Sequence, residues 1–447
     1  MFRLLFLLFI TAAVCGCATN STNALNVRTA VKSVSADRIE KDIKTLVDFG
    51  TRHTLSDTKS SVRGIGAARR WIEAEFEQIS KACGGCLEVV VQGDIISGET
   101  RIPEPTEVVN VYAVQKGTTD SDRIIIMSGD IDSRISDPLN FTDDSPGAND
   151  NASGMAGTIE AARVLSTQKF PATIIYAGLS GEEQGLFGGK IMAAVAKKEG
   201  WNIEAVINND MIGNSCGING ICDDASARVF SEGTRVVETE KEARTRRFQG
   251  GEVDSASRNV ARYIDRIADL YIDDLDVMMI YRLDRFGRGG HHRPFNVEGY
   301  PAVRIMETNE HYDRQHQDLR NEDGRHYGDT IEYVDFDYAA KLTALNVATL
   351  AAMASAPAPP ANVQISGQVS ADTTLSWEQV NGAVAYKVYW RLTTDAQWSN
   401  FRNVGDVASY TLENIVIDNY YFGVASVSAD GHESPVVFPG PAGAFND

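Results

Sequence analysis

The chain is poor in basic residues. It has 42 lysines and arginines against 61 aspartates and glutamates in 447 residues, a formal net charge of -19. Nucleic acids need a basic protein surface for their phosphates, so this balance argues against a nucleic-acid partner. The chain also has no repeated or low-complexity architecture. We expect a globular protein that is long enough for a large core and more than one domain.

Long hydrophobic runs are missing too. The apolar run at residues 4–14 is too short to span a bilayer as a mature helix, and it follows Met1 and Arg3 as in a signal peptide. The next residues, Val14-Cys15-Gly16-Cys17, resemble a bacterial lipobox. We therefore expect a signal peptide over residues 1–16 and a lipid anchor on Cys17. The protein would be exported to the cell envelope (outer membrane or periplasm), or secreted if the lipobox is not used. Residues 17–36 are predicted to be a tether.

Four further cysteines fall into two local pairs, Cys83 with Cys86 and Cys216 with Cys222. In an exported protein this spacing predicts two short-loop disulfides. The Cys83-Gly84-Gly85-Cys86 stretch could also be a redox pair or half of a zinc site. A zinc ribbon would need a second such motif, which the chain lacks, so disulfides are the preferred interpretation.

Buried-strand patterns alternate with helical patterns between residues 37 and 355. The strand patterns cover residues 124–127, 173–177, 205–207 and 301–305. This alternation predicts an α/β fold with a largely parallel, mixed sheet flanked by helices. Each strand pattern is followed by acidic residues, namely Asp130, the pair Glu182 and Glu183, Asp210, and Glu307. Binding sites of such folds lie at the carboxyl ends of strands, so these carboxylates are the candidate site.

A stiff linker at residues 356–361, rich in proline and alanine, separates this part from residues 362–447. Beyond it, short strand patterns with alternating aromatic residues predict an all-β sandwich. This region resembles a fibronectin type III domain and carries no catalytic set. We expect it to contact polymer or protein surfaces.

Five motifs occur in order across residues 37–355: GDIDSR, PGANDNASG, SGEEQGLFG, NNDMIGN and GGHHRPFNVEGYPAVRIMETNE. Together they resemble the di-zinc aminopeptidase family of bacterial leucyl aminopeptidase and aminopeptidase S, whose distant relatives include glutamate carboxypeptidase II and the glutaminyl cyclases. The resemblance implies the zinc-peptidase fold, two Zn²⁺ ions per chain and peptide substrates. It further implies an exopeptidase, an aminopeptidase that removes N-terminal residues from peptides.

The resemblance also assigns roles to individual residues. Asp150 matches the carboxylate that bridges the two metals, while Glu183 and Asp210 match terminal ligands of one ion each. Glu182 matches the general base that takes a proton from the metal-bridging water. The last ligand is expected to be His316.

Two other histidines, His311 and His326, are alternatives for that last ligand. His326 lies in a stretch similar to the corresponding motif of other relatives. Replacing each candidate and counting the bound metal would decide between them.

Two positions depart from the family pattern. The family has a zinc-binding histidine where this chain has Asp130, although an aspartate can also bind zinc through oxygen. Asp132, which we count among the catalytic residues, matches the aspartate that orients that histidine. His291 stands where relatives often carry aspartate, so we hypothesise a His/Asp exchange across the site that partly restores the charge.

Other interpretations of the same sequence remain open. The fold also supports carboxypeptidase cleavage or glutaminyl cyclisation at a single zinc. A catalytically impaired protein that binds surfaces is a further alternative. Residues 226–258 are interpreted as an insertion. Its arginines Arg244, Arg246 and Arg247 could bind a substrate carboxylate, but a solvated loop is the preferred interpretation.

Overall fold

The computed structural model describes residues 27–439. The helices of this part are α1 (Val27–Lys32), α2 (Ala36–Asp48), α3 (Ile65–Ala82), α4 (Ala152–Leu165), α5 (Phe187–Glu199), α6 (Glu240–Gln249), α7 (Ala256–Tyr271), α8 (His292–Val297) and α9 (Phe336–Ser355). Among these described helices, none is both long enough and apolar enough to cross a bilayer.

The large sheet contains β1 (Glu88–Ile96), β2 (Thr106–Gln115), β3 (Asp120–Asp130), β4 (Ala172–Leu179), β5 (Asn202–Asn209), β6 (Ser226–Ser231), β7 (Asp276–Ile280) and β8 (Ala302–Glu307). Their order is β1-β2-β4-β3-β5-β8-β6-β7. The four central strands β4, β3, β5 and β8 run parallel, whereas β2 and β6 pair with them antiparallel. The predicted α/β fold with a largely parallel mixed sheet is confirmed.

Helices cover both faces of this sheet, which explains why its central strands lack the polar alternation of a half-exposed strand. Every residue of β4 is buried. Helices α2, α4 and α9 belong to the larger apolar core on one face, and α5 and α8 belong to a second core on the other. Helix α4 begins where the Asn151 side chain accepts a hydrogen bond from the amide of Gly154.

The register of the parallel strands brings their carboxyl ends to one edge. Asp130 at the end of β3 lies opposite Leu179 at the end of β4, and Asn209 at the end of β5 lies opposite Ile305. The acidic residues that follow these strands therefore meet in one place.

Two expectations about the organisation of the chain were wrong. The predicted tether extends to residue 36, but residues 27–32 form α1, whose Val27 and Ala30 are buried in the large core. Residues 226–258, interpreted as an insertion, begin with β6, which pairs with β8 and β7 inside the sheet. The sequence of β6 is SARVFS, in which Arg228 interrupts the apolar residues, so it lacks the continuous apolar run by which the other strands were recognised. The signal peptide, Cys17 and the rest of the tether lie outside the described residues.

Both predicted disulfides are present, Cys83–Cys86 and Cys216–Cys222. The first joins the end of α3 to the start of β1, and the second closes a loop after β5. The interpretation of Cys83 and Cys86 as disulfide partners, rather than as half of a zinc site, is confirmed.

A separate two-stranded sheet precedes α9 and consists of β9 (Arg320–Glu322) and β10 (Arg325–Tyr327). The C-terminal part has six strands: β11 (Ala361–Ser366), β12 (Thr373–Glu378), β13 (Ala385–Leu392), β14 (Asn400–Gly405), β15 (Ser409–Leu412) and β16 (Tyr420–Val427). Two antiparallel sheets, β11-β12-β15 and β14-β13-β16, enclose a separate core. The predicted antiparallel β architecture is confirmed, and its fibronectin type III character stays a prediction.

A buried ion-pair network attaches this β part to the α/β part. Asp254 accepts hydrogen bonds from Arg391 of β13 at 2.8 Å through both oxygens, and from Arg262 of α7 at 2.9 Å. All three side chains are almost fully buried. Because charges buried this deeply are costly unless they are paired, separating the two parts would leave Asp254 and Arg391 without each other.

Candidate metal centre

The acidic residues that follow β4 and β5, and Asp150 just before α4, line one cleft of about 840 Å³ together with residues from neighbouring loops. Five of the predicted site residues line it: Asp150, Glu182, Glu183, Asp210 and His316. The candidate site therefore lies at the carboxyl edge of the sheet. This is where we expected it, because these residues follow the buried strands in the sequence.

Three of the five predicted metal ligands come together. His316 Nε2 lies 2.9 Å from Asp150 Oδ2 and 2.9 Å from Glu183 Oε1. One ligand atom from each side chain lies within 4.8 Å of the others. One imidazole and two carboxylates form a ligand set that zinc accepts, and three protein ligands leave a position for water or substrate. The residues therefore fit a zinc ion, and we call Asp150, Glu183 and His316 the ligand cluster.

The other two candidate histidines do not reach the ligand cluster. His326 is exposed on β10, and His311 is only partly buried beside the loop that precedes His316. Burial lowers the pKa of His316, but the neighbouring charges of Glu183 and Asp150 outweigh burial and raise that pKa to about 9. This strong attraction for a proton reflects negative charge that a metal cation would satisfy instead.

Residues that the sequence interpretation missed hold the ligand cluster in place. Arg134 Nε donates to Glu183 Oε2 at 2.8 Å, and its Nη2 lies 2.7 Å from His316 Nδ1. Asp329 accepts the backbone amide of Asp150 at 2.7 Å. Arg134 could have been suspected because it stands two residues after Asp132 in the same motif, whereas Asp329 lies 179 residues from Asp150.

Asp130 lies outside the ligand cluster. Its Oδ2 accepts a hydrogen bond from Asn151 Nδ2 at 2.6 Å, and its Oδ1 lies 2.6 Å from His291 Nδ1. Burial lowers the pKa of His291 to about 4 and raises the pKa of Asp130 to about 8, so the ring is neutral and shares one hydrogen bond with Asp130. The two positions at which the chain departs from the family pattern are therefore in direct contact, as the exchange hypothesis requires.

Asp210 also lies outside the ligand cluster, and a buried arginine holds it. Arg304 Nη2 lies 2.8 Å from Asp210 Oδ2, while Arg304 Nη1 donates to Asp284 at 3.1 Å. Burial raises the pKa of Asp210 well above its usual range, against the opposing charge of Arg304. Arg304 positions this carboxylate at the edge of the cleft.

Asp132 supports the turn that carries the two glutamates. Its Oδ1 accepts the amide of Glu182 and its Oδ2 accepts the amide of Glu183, both at 3.1 Å. The hydroxyl of Thr54 donates to Oδ2 as well, at 3.1 Å. The structure thus places Asp132 beneath the cleft as a positioning residue, rather than as the catalytic residue we expected.

Glu182 lines the cleft beside the ligand cluster and is half-buried. Burial, followed by the charges of Asp210 and Glu183, raises the pKa of Glu182 well above its usual range. A carboxylate with a raised pKa is a stronger proton acceptor, which suits a general base.

Comparison with known proteins agrees with this geometry. The profile of Peptidase family M28 matches residues 110–335. A protein of Leptosphaeria maculans named "Probable zinc metalloprotease" is 44% identical over 93% of this chain and 97% of its own length. The chain belongs to peptidase family M28. A second relative, a protein of Pyrenophora teres f. teres named "Probable zinc metalloprotease", is 42% identical over 93% of this chain and 87% of its own length.

Two solved structures share the M28 fold. The LapA aminopeptidase of Legionella pneumophila is 21% identical, with a TM-score of 0.54 over 74% of each chain. The aminopeptidase of Aneurinibacillus sp. strain AM-1 is 15% identical, with a TM-score of 0.50 over 74% of this chain and 96% of its own. With the fold, the family and the ligand cluster in agreement, the chain is a metallopeptidase.

Proposed function

We propose that this M28 peptidase is a zinc-dependent aminopeptidase. The observation that carries the proposal is the ligand cluster of Asp150, Glu183 and His316 with Glu182 beside it in the same cleft. The cleft also contains Asp210, so carboxylates surround the reaction centre. Negative charge there attracts the positive α-ammonium group of a peptide N-terminus.

The ligand cluster would hold one zinc ion, and the curated relatives named zinc metalloproteases support this choice of metal. Asp150 has a second oxygen, and Asp210 and Asp130 supply further carboxylates for a second ion, so we propose two ions per chain. When bound, zinc polarises the scissile carbonyl and lowers the pKa of water.

The protein's own residues then perform the remaining steps. Glu182 accepts the proton of the attacking water and can return it to the leaving amine. Asp132 fixes the backbone amides of Glu182 and Glu183, so that adjacent side chains keep separate roles. Arg134 holds Glu183 and His316 in the geometry that metal binding needs.

The test compares peptides with a free N-terminus and the same peptides N-acetylated, with and without a chelator. We expect chelator-sensitive release of the N-terminal residue from the free peptides alone, because acetylation removes the ammonium group. Release of C-terminal residues from both forms would instead indicate a carboxypeptidase. Cyclisation of an N-terminal glutamine would indicate the cyclase alternative.

His291→Ala is expected to weaken binding of the second zinc by about 10- to 100-fold, because removing a hydrogen-bond partner of a ligand typically has this effect. The His291 ring shares a hydrogen bond with Asp130, and it lies within hydrogen-bonding distance of none of the residues of the ligand cluster. Titration of metal-free protein with zinc measures both affinities. If His291→Ala leaves both unchanged while Asp130→Ala weakens one, the exchange hypothesis is wrong.

We further propose that the protein is exported and anchored through a lipid on Cys17. The support is the signal-peptide and lipobox pattern of the sequence. The β part would contact polymer or protein surfaces near the membrane, and small peptides would be the substrates. Labelling of cells with a radioactive fatty acid, followed by capture of wild type and Cys17→Ser, tests the anchor.

A further inference from the structure

Three cationic side chains that line the cleft have no acidic partner within the described residues. Lys190 of α5, Arg288 in the loop before α8, and Arg293 of α8 all line it. No ion pair joins any of them to a carboxylate of residues 27–439. We call these three residues the basic cluster.

The other arginines of the cleft are occupied. Arg134 pairs with Glu183 at 2.8 Å, and Arg285 pairs with Glu310 at 2.6 Å. Arg101 donates to the backbone oxygen of Glu183 at 2.5 Å. These three arginines are therefore used in contacts within the protein, whereas the charges of the basic cluster remain available to a ligand.

The three residues lie on one side of the cleft. Arg293 Nη1 donates to the backbone oxygen of Arg288 at 3.4 Å. A Cβ atom on Gly289, next to Arg288, would lie 2.7 Å from Arg293 Nη1 and 3.5 Å from Leu186. Lys190 follows Gly189 on α5, and a Cβ atom on Gly189 would lie 3.2 Å from Cγ of Pro294, the neighbour of Arg293 on α8.

Arg288 carries the clearest sign of a missing partner. Its Nη1 is buried and has no hydrogen-bond acceptor within the described part of the chain. A buried donor without an acceptor costs stability, and because Arg288 lines the cleft, an acceptor on a bound substrate can reach it. Lys190 meanwhile lies over the ring of Phe187, with Nζ 4.5 Å from the ring centroid, which orders the side chain without neutralising its charge.

Glu298 also lines the cleft and is the one carboxylate there outside the metal site. It forms no ion pair with the basic cluster among the described residues; its backbone oxygen accepts from Lys197. The chain as a whole has a net charge of -19, so cations without an acidic partner among the described residues stand out in this cleft.

We propose that the basic cluster binds a carboxylate of the substrate, so that the enzyme prefers peptides carrying a negative charge close to the cleaved bond. The inference rests on the proposed peptidase function and names its substrate class. The carboxylate can come from an acidic side chain or from the C-terminus of a very short peptide. Both present the same two oxygens to arginine.

Three matched substrate pairs distinguish the sources, each differing in one carboxylate. Glutamyl- and glutaminyl-p-nitroanilide test an acidic first residue. Ala-Glu-amide and Ala-Gln-amide test an acidic second residue, and Ala-Ala and Ala-Ala-amide test the C-terminus. We expect about 10-fold higher kcat/KM for the charged member of at least one pair. Values within about twofold in all three pairs would overturn the proposal.

Arg288→Gln leaves a shorter polar side chain without the charge, so the ratio of kcat/KM for the charged member to kcat/KM for the uncharged member is expected to fall toward one. Arg247→Gln is the control, since Arg247 is exposed on α6 away from the cleft. An undiminished preference in Arg288→Gln would contradict the role of the basic cluster. The ratio within a pair is insensitive to the amount of folded, zinc-loaded enzyme.

Failure of the proposed function is distinguishable from failure of this inference. If the enzyme hydrolyses neither member of any pair, the aminopeptidase proposal is wrong. In that case the affinity of the zinc-loaded protein for each member of the same pairs, measured by calorimetry, tests whether the basic cluster binds a carboxylate. Tighter binding of the charged member, lost in Arg288→Gln, supports the basic cluster, and equal binding overturns it.

Discussion

Replacing Glu182 with glutamine is expected to lower kcat by a factor of about 10² to 10⁴, the usual contribution of a general base, while the protein keeps its zinc. Glutamine has nearly the same shape but cannot accept the proton of the attacking water. Glu182 lines the cleft, yet it is not one of the three residues of the ligand cluster. Replacing Glu182 should therefore lower the rate of the chemical step without lowering the zinc content of the protein.

The neighbouring Glu183 provides the matched comparison. Glu183→Gln is the same substitution one residue along, but it removes a carboxylate oxygen that lies 2.9 Å from His316 Nε2. We expect Glu183→Gln to lose zinc as well as activity, measured by elemental analysis of dialysed protein together with steady-state kinetics. If both variants lose zinc equally, or if Glu182→Gln retains its kcat, the division of roles between the two glutamates is wrong.

Replacing His316 with alanine is expected to weaken zinc binding by more than about 100-fold and to abolish activity at limiting zinc. Loss of a group that only supports a ligand typically costs 10- to 100-fold, and His316 is itself a ligand in this account. It is also the only imidazole of the ligand cluster. Removing it leaves two carboxylates, a ligand set too small for tight zinc binding.

His326→Ala is the control for His316→Ala, because His326 is exposed on β10 and also matched a pattern of the family. Competition with a chromogenic zinc chelator measures the affinities of both variants. Equal affinity in wild type and His316→Ala would show that the last ligand lies elsewhere in the chain. Loss of zinc in His326→Ala would point to that residue instead.

The sequence predicted the carboxylates of the site because they follow buried strands. Strand patterns ending at Asp130, Glu182 and Asp210 can be recognised locally, and a parallel sheet necessarily brings such ends to one edge. The turn before α4 that carries Asp150 has its own local signal, a run of small residues before a helix. These local patterns predicted the fold and the position of the carboxylates, whereas the roles of the individual residues, and His316, came from the resemblance to the aminopeptidase family.

Contacts between distant segments could not be predicted in the same way. Arg304 reaches Asp210 across 94 residues, and His291 reaches Asp130 across 161 residues. Their partners depend on how loops pack above the sheet, and no local periodicity encodes that packing. For the same reason the basic cluster, which joins α5 to the loop before α8, became visible only in the folded chain.

Short elements were the other source of error. Helix α1 has six residues and buries only Val27 and Ala30, so its apolar pattern is too brief to distinguish from a polar tether. Strand β6 is equally short. Both are stabilised by tertiary packing against larger elements rather than by their own sequence.

Zinc titration of the metal-depleted enzyme tests the central claim most directly. Chelator-treated wild type and Glu182→Gln would receive increasing zinc, while release of the N-terminal residue from a free peptide and bound zinc are measured in the same samples. We predict no release before zinc is added, recovery as the ions bind to wild type, and little recovery in Glu182→Gln at equal zinc content. Hydrolysis by the metal-free protein, or equal recovery in the two proteins, would contradict the account.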